Sequence, residues 1–556
     1  MKSSISVPED VSHHLDEVSV EAAFPVRRDL TRPALLVPPM SGCREAGGVG
    51  AAKGAQEGSP DGPPVEGFQV PGEMGLLEKV EESVAHFREL LMSVVVVGAL
   101  TGTGDLLGSE RELHTRVGRE CLDPVVGARI VAAHEDPVVL ERANAVVDAT
   151  PNLRPQRASE PVTLTLLGGS SVRVMTPYHL KRPVKRRGPK KGRGRRGKEG
   201  NGLYPVLSVL GIQYRVTPAL ASDVARMVAM STEAEAQETL RLRGIDLGRK
   251  TVSRLAKRFA KRSLEYRDWK QRQTEAGHRG PGTVRGKRLV IGTDGGRLRL
   301  REARKRGRPR RSGHRGFDAP WREPKVIIVY EVDKRGRKVP RGMVRYDATM
   351  RDANGTFKLL LALLREIGAQ EAKEWIFVGD GADWIWDRVP GLIEKMGYDT
   401  KKVTQVVDFY HAMERVHAIA AEKKDWTEKD RRRWAARMKK LLRHGQVDEV
   451  FSEARQLLRG KRPKRVKSLP GYFKKHRNRM CYGRYRRRGI PLGSGAVESC
   501  VRRTINLRMK GNGIFWLAES AEGLLHLRAQ LLCGRWDQHV REVLQPAALW
   551  SLSSLS

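Results

Sequence analysis

RLVIGTDGGRLRL, residues 288–300, is the stretch on which the fold turns. Its apolar run reads as a β-strand that carries Asp294 into a Gly-Gly pair. A carboxylate inside such a run is costly to bury alone, so other polar groups must meet it. WIFVGDGA, residues 375–382, repeats the design with Asp380, and in VTQVVDFYH, residues 403–411, a further apolar strand ends on Asp408. Between the first two lie a strand at Lys325–Val332 (KVIIVYEV), a further strand over Gly342–Tyr346 and a helix over Thr356–Ile367. A helix over Asp383–Met396 precedes the strand Val403–Val407. Three strands followed by helix, strand, helix, strand and helix predict an α/β fold of the ribonuclease-H-like kind.

Working outward, 556 residues allow three or four structural units at roughly 100–200 residues each. Residues 1–72, rich in Gly, Pro and Ser, are expected to be disordered, and 73–155 to be helical. Residues 156–215 hold a β-hairpin, PVTLTLLGGSSVRVM at 161–175, and then a basic loop at 181–200 with eleven Lys or Arg and one Glu. Residues 216–270 have the pattern of a helix-turn-helix DNA-binding module, with helices at Thr217–Met230, Thr232–Arg243 and Thr251–Arg262. On this reading Arg249, Lys250, Ser253 and Arg254 face a DNA groove. The catalytic domain occupies 285–411 and resumes at 490–535, interrupted by a basic helical insertion at 412–489; 536–556 is expected to be a C-terminal tail.

The charge balance narrows the partners. Lys and Arg number 104 against 64 Asp and Glu, a formal net charge of +40. Such a chain attracts polyanions, and DNA is the partner expected. No run approaches the roughly 20 apolar residues of a membrane span, and the N-terminus shows no leader, which together predict a cytoplasmic protein on the nucleoid. Five widely spaced cysteines, none in a CxxC pair, speak against a disulfide framework or a Cys-rich zinc site. A second DNA signal is RKRGRPRR at 304–311, where Arg306 and Arg308 flank Gly307 just before Pro309 in the manner of a minor-groove hook.

Glu498, in GSGAVESCVRR, is the one acid between Glu453 and Glu519, in a segment crowded with Arg. Asp294, Asp380 and Glu498 are spaced by 86 and 118 residues, the second interval being long because it contains the insertion. Carboxylates converging on one point suit Mg²⁺, which prefers hard oxygen ligands; two ions about 3.5–4 Å apart serve phosphodiester cleavage, and Mn²⁺ can substitute. The three acids are therefore the expected catalytic residues and metal ligands.

The set TDGG, GDGA, DFYH and GSGAVES resembles bacterial insertion-sequence transposases of the DDE class, nearest to the Mutator-related group, over about residues 160–535. The resemblance implies a ribonuclease-H-like catalytic domain, a DDE metal site at Asp294, Asp380 and Glu498, and DNA transposition. It places Asp408 and His411, matching the group's (Cys or Asp)-x-x-His pattern, beside the site, where structural hydrogen bonding is the role expected of them. Where relatives often carry zinc-binding cysteines after the hairpin, this chain has its basic run instead. The expected activity is binding of terminal inverted repeats, strand cleavage and 3′-hydroxyl strand transfer by a homodimer or larger assembly on DNA. Two other classes use the same features: a non-catalytic DNA-binding regulator, and a structure-selective nuclease on the same fold.

Overall fold

The computed structural model describes residues 75–101, 106–181, 202–280, 282–304, 316–460, 466 and 468–550. The segment 1–72, nearly all of the basic run at 181–200, and Arg306 and Arg308 lie outside the described residues.

Five strands build the central sheet: β1 (Arg288–Gly295), β2 (Lys325–Val332), β3 (Val344–Thr349), β4 (Glu374–Gly379) and β5 (Val403–Val407). Their order is β3-β2-β1-β4-β5. The first three pair antiparallel, whereas β4 joins β1 and β5 joins β4 in parallel. This mixed α/β sheet is consistent with the ribonuclease-H-like arrangement expected from the sequence. All six residues of β4 and all but Glu331 of β2 are buried, as unbroken apolar runs require when both sheet faces are covered.

The crossover from β3 to β4 is the helix Ala353–Glu366, whose first turn is capped by Asp352, its carboxylate accepting from Gly355 N–H at 2.7 Å. Between β4 and β5 the expected single helix is two, Asp383–Trp386 and Val389–Met396. Pro390 has no N–H to continue a helix but suits the first turn of a new one, so the chain restarts there.

The helical module comprises Pro218–Met230, Glu233–Arg241 and Arg249–Glu275. The third helix runs past its expected end at Arg262 because SLEYRDWKQRQTE, residues 263–275, contains no Gly or Pro and buries Ser263, Tyr266 and Arg267. The boundary drawn at residue 270 falls inside this helix. Arg267 meets Glu522 at 2.6 Å and Asp347 at 3.7 Å, so one helix belongs to the module and to the sheet's core alike. A continuous apolar cluster accordingly runs from Val216 to Trp550.

The hairpin is longer than expected, Leu153–Thr165 against Ser171–Lys181, and packs in a separate small core with Ile130, Leu207 and Ile212. The insertion is helical throughout its regular parts, beginning with Phe409–Ala421 and Glu428–His444 and ending with Tyr482–Arg487. The segment expected as a tail from residue 536 instead forms the helix Trp536–Leu544. Its apolar positions 536, 540, 543 and 544 share one helix face, and all four are buried. Among the described residues no helix is long and apolar enough to cross a membrane.

Candidate active site

The parallel half of the sheet aligns the acids. Gly292 of β1 stands opposite Val378 of β4, and Gly379 of β4 opposite Val407 of β5. Two residues on from the first pair, Asp294 comes level with Asp380; one residue on from the second, Asp380 comes level with Asp408. The pairing does reach that far, since Asp408 N–H donates to the Gly379 carbonyl at 2.8 Å. Neighbouring strands lie about 4.8 Å apart, and residues in register share a sheet face. Three aspartates therefore form one row at the carboxyl ends of β1, β4 and β5.

Backbone N–H groups orient each of them. Gly295 N–H donates to Asp294 Oδ1 at 2.6 Å, and Ala382 N–H to Asp380 Oδ1 at 3.0 Å. Asp408 is wholly buried and caps the helix Phe409–Ala421, its Oδ1 accepting from Tyr410 N–H at 2.5 Å and His411 N–H at 3.1 Å. Its Oδ2 accepts from Ser494 N–H, on the chain returning from the insertion. With three donors on about four acceptor sites, Asp408 has little capacity left; its geometry suits fastening more than ligation.

Glu498 arrives from the other side of the insertion. It lies on the short helix Gly495–Val501, which rests on β1 where Gly292 has no side chain; a Cβ there would sit 2.3 Å from Val497 Cγ2. The next glycine contact repeats the device, a Cβ on Gly296 falling 2.4 Å from Ile505 Cδ1. Ser494 Oγ donates to Glu498 Oε1 at 3.2 Å, so Ser494 links Glu498 to Asp408.

The charges crowd one another. Burial pushes the Asp294 carboxyl up to about 6, and the negative charges of Asp380 and Glu498 add to the rise; Gly295 N–H and His411 oppose it. For His411, burial favours the neutral ring, but the hydrogen bond with Glu414 and the charges of Asp408, Glu414 and Asp380 win and raise its pKa. Asp408, His411 and Glu498 bring one ligand atom each to within 4.8 Å of one another, the one such trio among the described residues. Asp294 and Asp380 stand beside it, coupled to it through charge rather than inside that radius.

Two neighbours escape a sequence reading. The Tyr472 ring closes on the Asp380–Gly381 turn, where a Cβ on Gly381 would lie 2.1 Å from its Cε2. Its buried hydroxyl has no hydrogen-bond partner among the described residues. Ser494 is the other. The Gly381 signal was present in GDGA; nothing in the sequence pairs it with an insertion tyrosine 91 positions on.

In the helical module Arg249, Lys250 and Arg254 are exposed. Ser253 is half-buried and donates to Glu233 at 2.7 Å, a use that competes with a direct DNA contact.

No family model matches the chain, and no curated protein does. Among solved structures it is similar to the Drosophila P element transposase strand transfer complex, with 9% sequence identity and a TM-score of 0.22, over 63% of this chain and 88% of that chain.

Proposed function

We propose that this chain is a DNA transposase that cleaves DNA and transfers the resulting 3′-hydroxyl end at Asp294, Asp380 and Glu498. The observation that carries the reading is the convergence of in-register strand ends with a helix from beyond the insertion. Three carboxylates separated by 86 and 118 residues lie near enough for Asp294 to feel the charges of the other two, on a chain of net charge +40. The likeness of TDGG, GDGA, DFYH and GSGAVES to the Mutator-related insertion-sequence group supports the same reading.

The donor set fits Mg²⁺. It is built from carboxylate oxygens, and the Asp294 carboxyl, pushed up to about 6 with Asp380 and Glu498 contributing, marks negative charge that a cation would relieve. When bound, a pair of such ions activates the attacking oxygen and stabilises the leaving one. The chain's own residues do the rest. Gly295 and Ala382 N–H groups fix the angles of Asp294 and Asp380. Asp408 ties the start of the insertion to its return and so sets the height of Glu498. The exposed Arg249, Lys250 and Arg254, with the basic runs, supply backbone contacts that hold element ends, in an assembly of two or more copies.

The test is strand transfer with labelled DNA ends and Mg²⁺, comparing the wild type with Asp294→Asn. Loss of cleavage and joining with DNA binding retained is expected. Unchanged joining in that variant sinks the assignment, and cleavage without joining by the wild type makes the protein a nuclease instead.

A further inference from the structure

The pairing of β1 with β2 does not stop at the acids. Beyond Gly295 the two chains continue as a ribbon, Leu298–Arg299 against Trp321–Arg322 and Glu302–Ala303 against Phe317–Asp318. The segment that follows the Glu498 helix comes to the same place. Trp516 N–H donates to the Arg299 carbonyl at 3.0 Å, and Arg301 N–H to the Trp516 carbonyl at 2.7 Å. The strand that bears Asp294 and the chain that leaves Glu498 thus meet again in one patch.

Arginine and aromatic side chains interleave across it. Arg299 lies over Trp321 at 4.8 Å, Arg301 over Phe317 at 4.6 Å and Arg508 over Trp516 at 5.2 Å. The ribbon's acids are spent internally, Glu302 on Arg322 at 2.6 Å and Asp318 on Arg304 at 2.7 Å. Arg299 and Arg301 have no ion pair among the described residues. Trp321 remains 50% exposed although Arg299 covers one face of its ring. A tryptophan serving only the ribbon's packing would be buried, as its neighbour Trp516 mostly is.

We propose that this patch holds an unpaired nucleobase of a DNA single strand, stacked on Trp321, next to the bond that is cut. Bases within a duplex stack on one another and offer a tryptophan no open face, whereas an unpaired base does. Arg299 and Arg301 are free to meet the phosphates on either side of it. Arg299 lies five positions beyond Asp294 along a largely extended chain, a reach of about 17 Å, which is a few nucleotides. The position of that base next to the bond that is cut rests on the transposase reading; the stacking itself requires only DNA.

The test uses the full chain in metal-free buffer, where no cleavage intervenes. Affinity is measured for a blunt duplex and for the same duplex with a five-nucleotide 3′ overhang carrying 2-aminopurine, whose fluorescence falls on stacking. The wild type is expected to bind the overhang form about tenfold tighter and to quench the probe. Trp321→Ala should erase both effects and leave blunt-duplex affinity unchanged, while Trp321→Phe keeps most of each. Equal affinity of the wild type for the two DNAs overturns the proposal, as does a preference that survives Trp321→Ala. Should Trp321→Ala not fold, quenching by wild type that persists undiminished in Arg299→Ala and Trp321→Thr overturns it equally. Overhang preference in a protein that neither cuts nor joins DNA would leave the patch standing and remove the transposase reading; cutting without preference would do the reverse.

Discussion

The parallel half of the sheet and the helix that carries Glu498 reach the same site by different physics. Asp294, Asp380 and Asp408 are placed by backbone pairing: one register, set by buried apolar strands, brings all three level. Glu498 has no such ladder. It is held by side-chain packing of Val497 into the space over Gly292, and by Ser494, after an excursion of five regular helices or more. The first arrangement should tolerate changes in its surroundings; the second should be sensitive to a single methyl group.

The largest effect expected is on chemistry alone. Asp294→Asn keeps the strand and its neighbours, so thermal stability should hold while strand transfer drops below detection in a gel assay. Next comes the fastening between the two regions. Glu374, at the start of β4, pairs with Arg288 at 2.9 Å and with Arg488, at the end of the insertion, at 2.5 Å, and accepts from Thr404 at 2.9 Å. Glu374→Ala leaves Arg288 with a lost buried partner and should cost about 3–5 kcal/mol in denaturant unfolding.

Gly292→Ala sharpens the comparison further. Its new Cβ would stand 2.3 Å from Val497 Cγ2 and push the Glu498 helix outward. Overpacking of this kind costs about 1–3 kcal/mol, and the loss of activity should exceed what that destabilisation explains. Val497→Ala in the same chain should restore activity in part. If Gly292→Ala is as active as the wild type, the seating of Glu498 does not depend on that contact.

The smallest effect near neutral pH concerns the polar cluster beneath the sheet's far edge. His539 is held well below the usual 6.5 by burial, reinforced by the positive charges of His526 and Lys270. The unfolded chain takes up that proton first, so stability is present above about pH 6.5 and declines as pH falls below it. Asp347 adds a second window. Burial opposes its ionisation, but His526 and Arg267 outweigh it and hold the carboxyl well below the usual range. That contribution is present above the ordinary 3.8 and is lost only in stronger acid. Melting temperature followed from pH 8 to 3 should fall in these two stages, and His539→Phe should flatten the first.

Much of this was legible in the residues. The apolar runs LVI, VIIVY, WIFV and VTQVV define their strands because nothing but a doubly covered sheet buries such runs, and β5 and β2 have the bounds expected for them. Asp294, Asp380 and Asp408 could be singled out because a charge at the end of an apolar strand has few structural uses, and glycine follows the first two. Other features were illegible for physical reasons. The long helix Arg249–Glu275 carries no internal stop, and where it serves the module or the sheet depends on partners such as Glu522 some 255 positions away. The helix Trp536–Leu544 is amphipathic but short, and only the surface it covers distinguishes it from a tail.

The sequence alone determined the identity of the strands and the acids at their ends, because local patterning decides what must be buried. Tertiary structure alone decided that Gly292 seats Val497, that Ser494 bridges Asp408 and Glu498, and that Tyr472 closes over Asp380. Contacts across the insertion depend on how helices pack in three dimensions, and no periodicity along the chain records that.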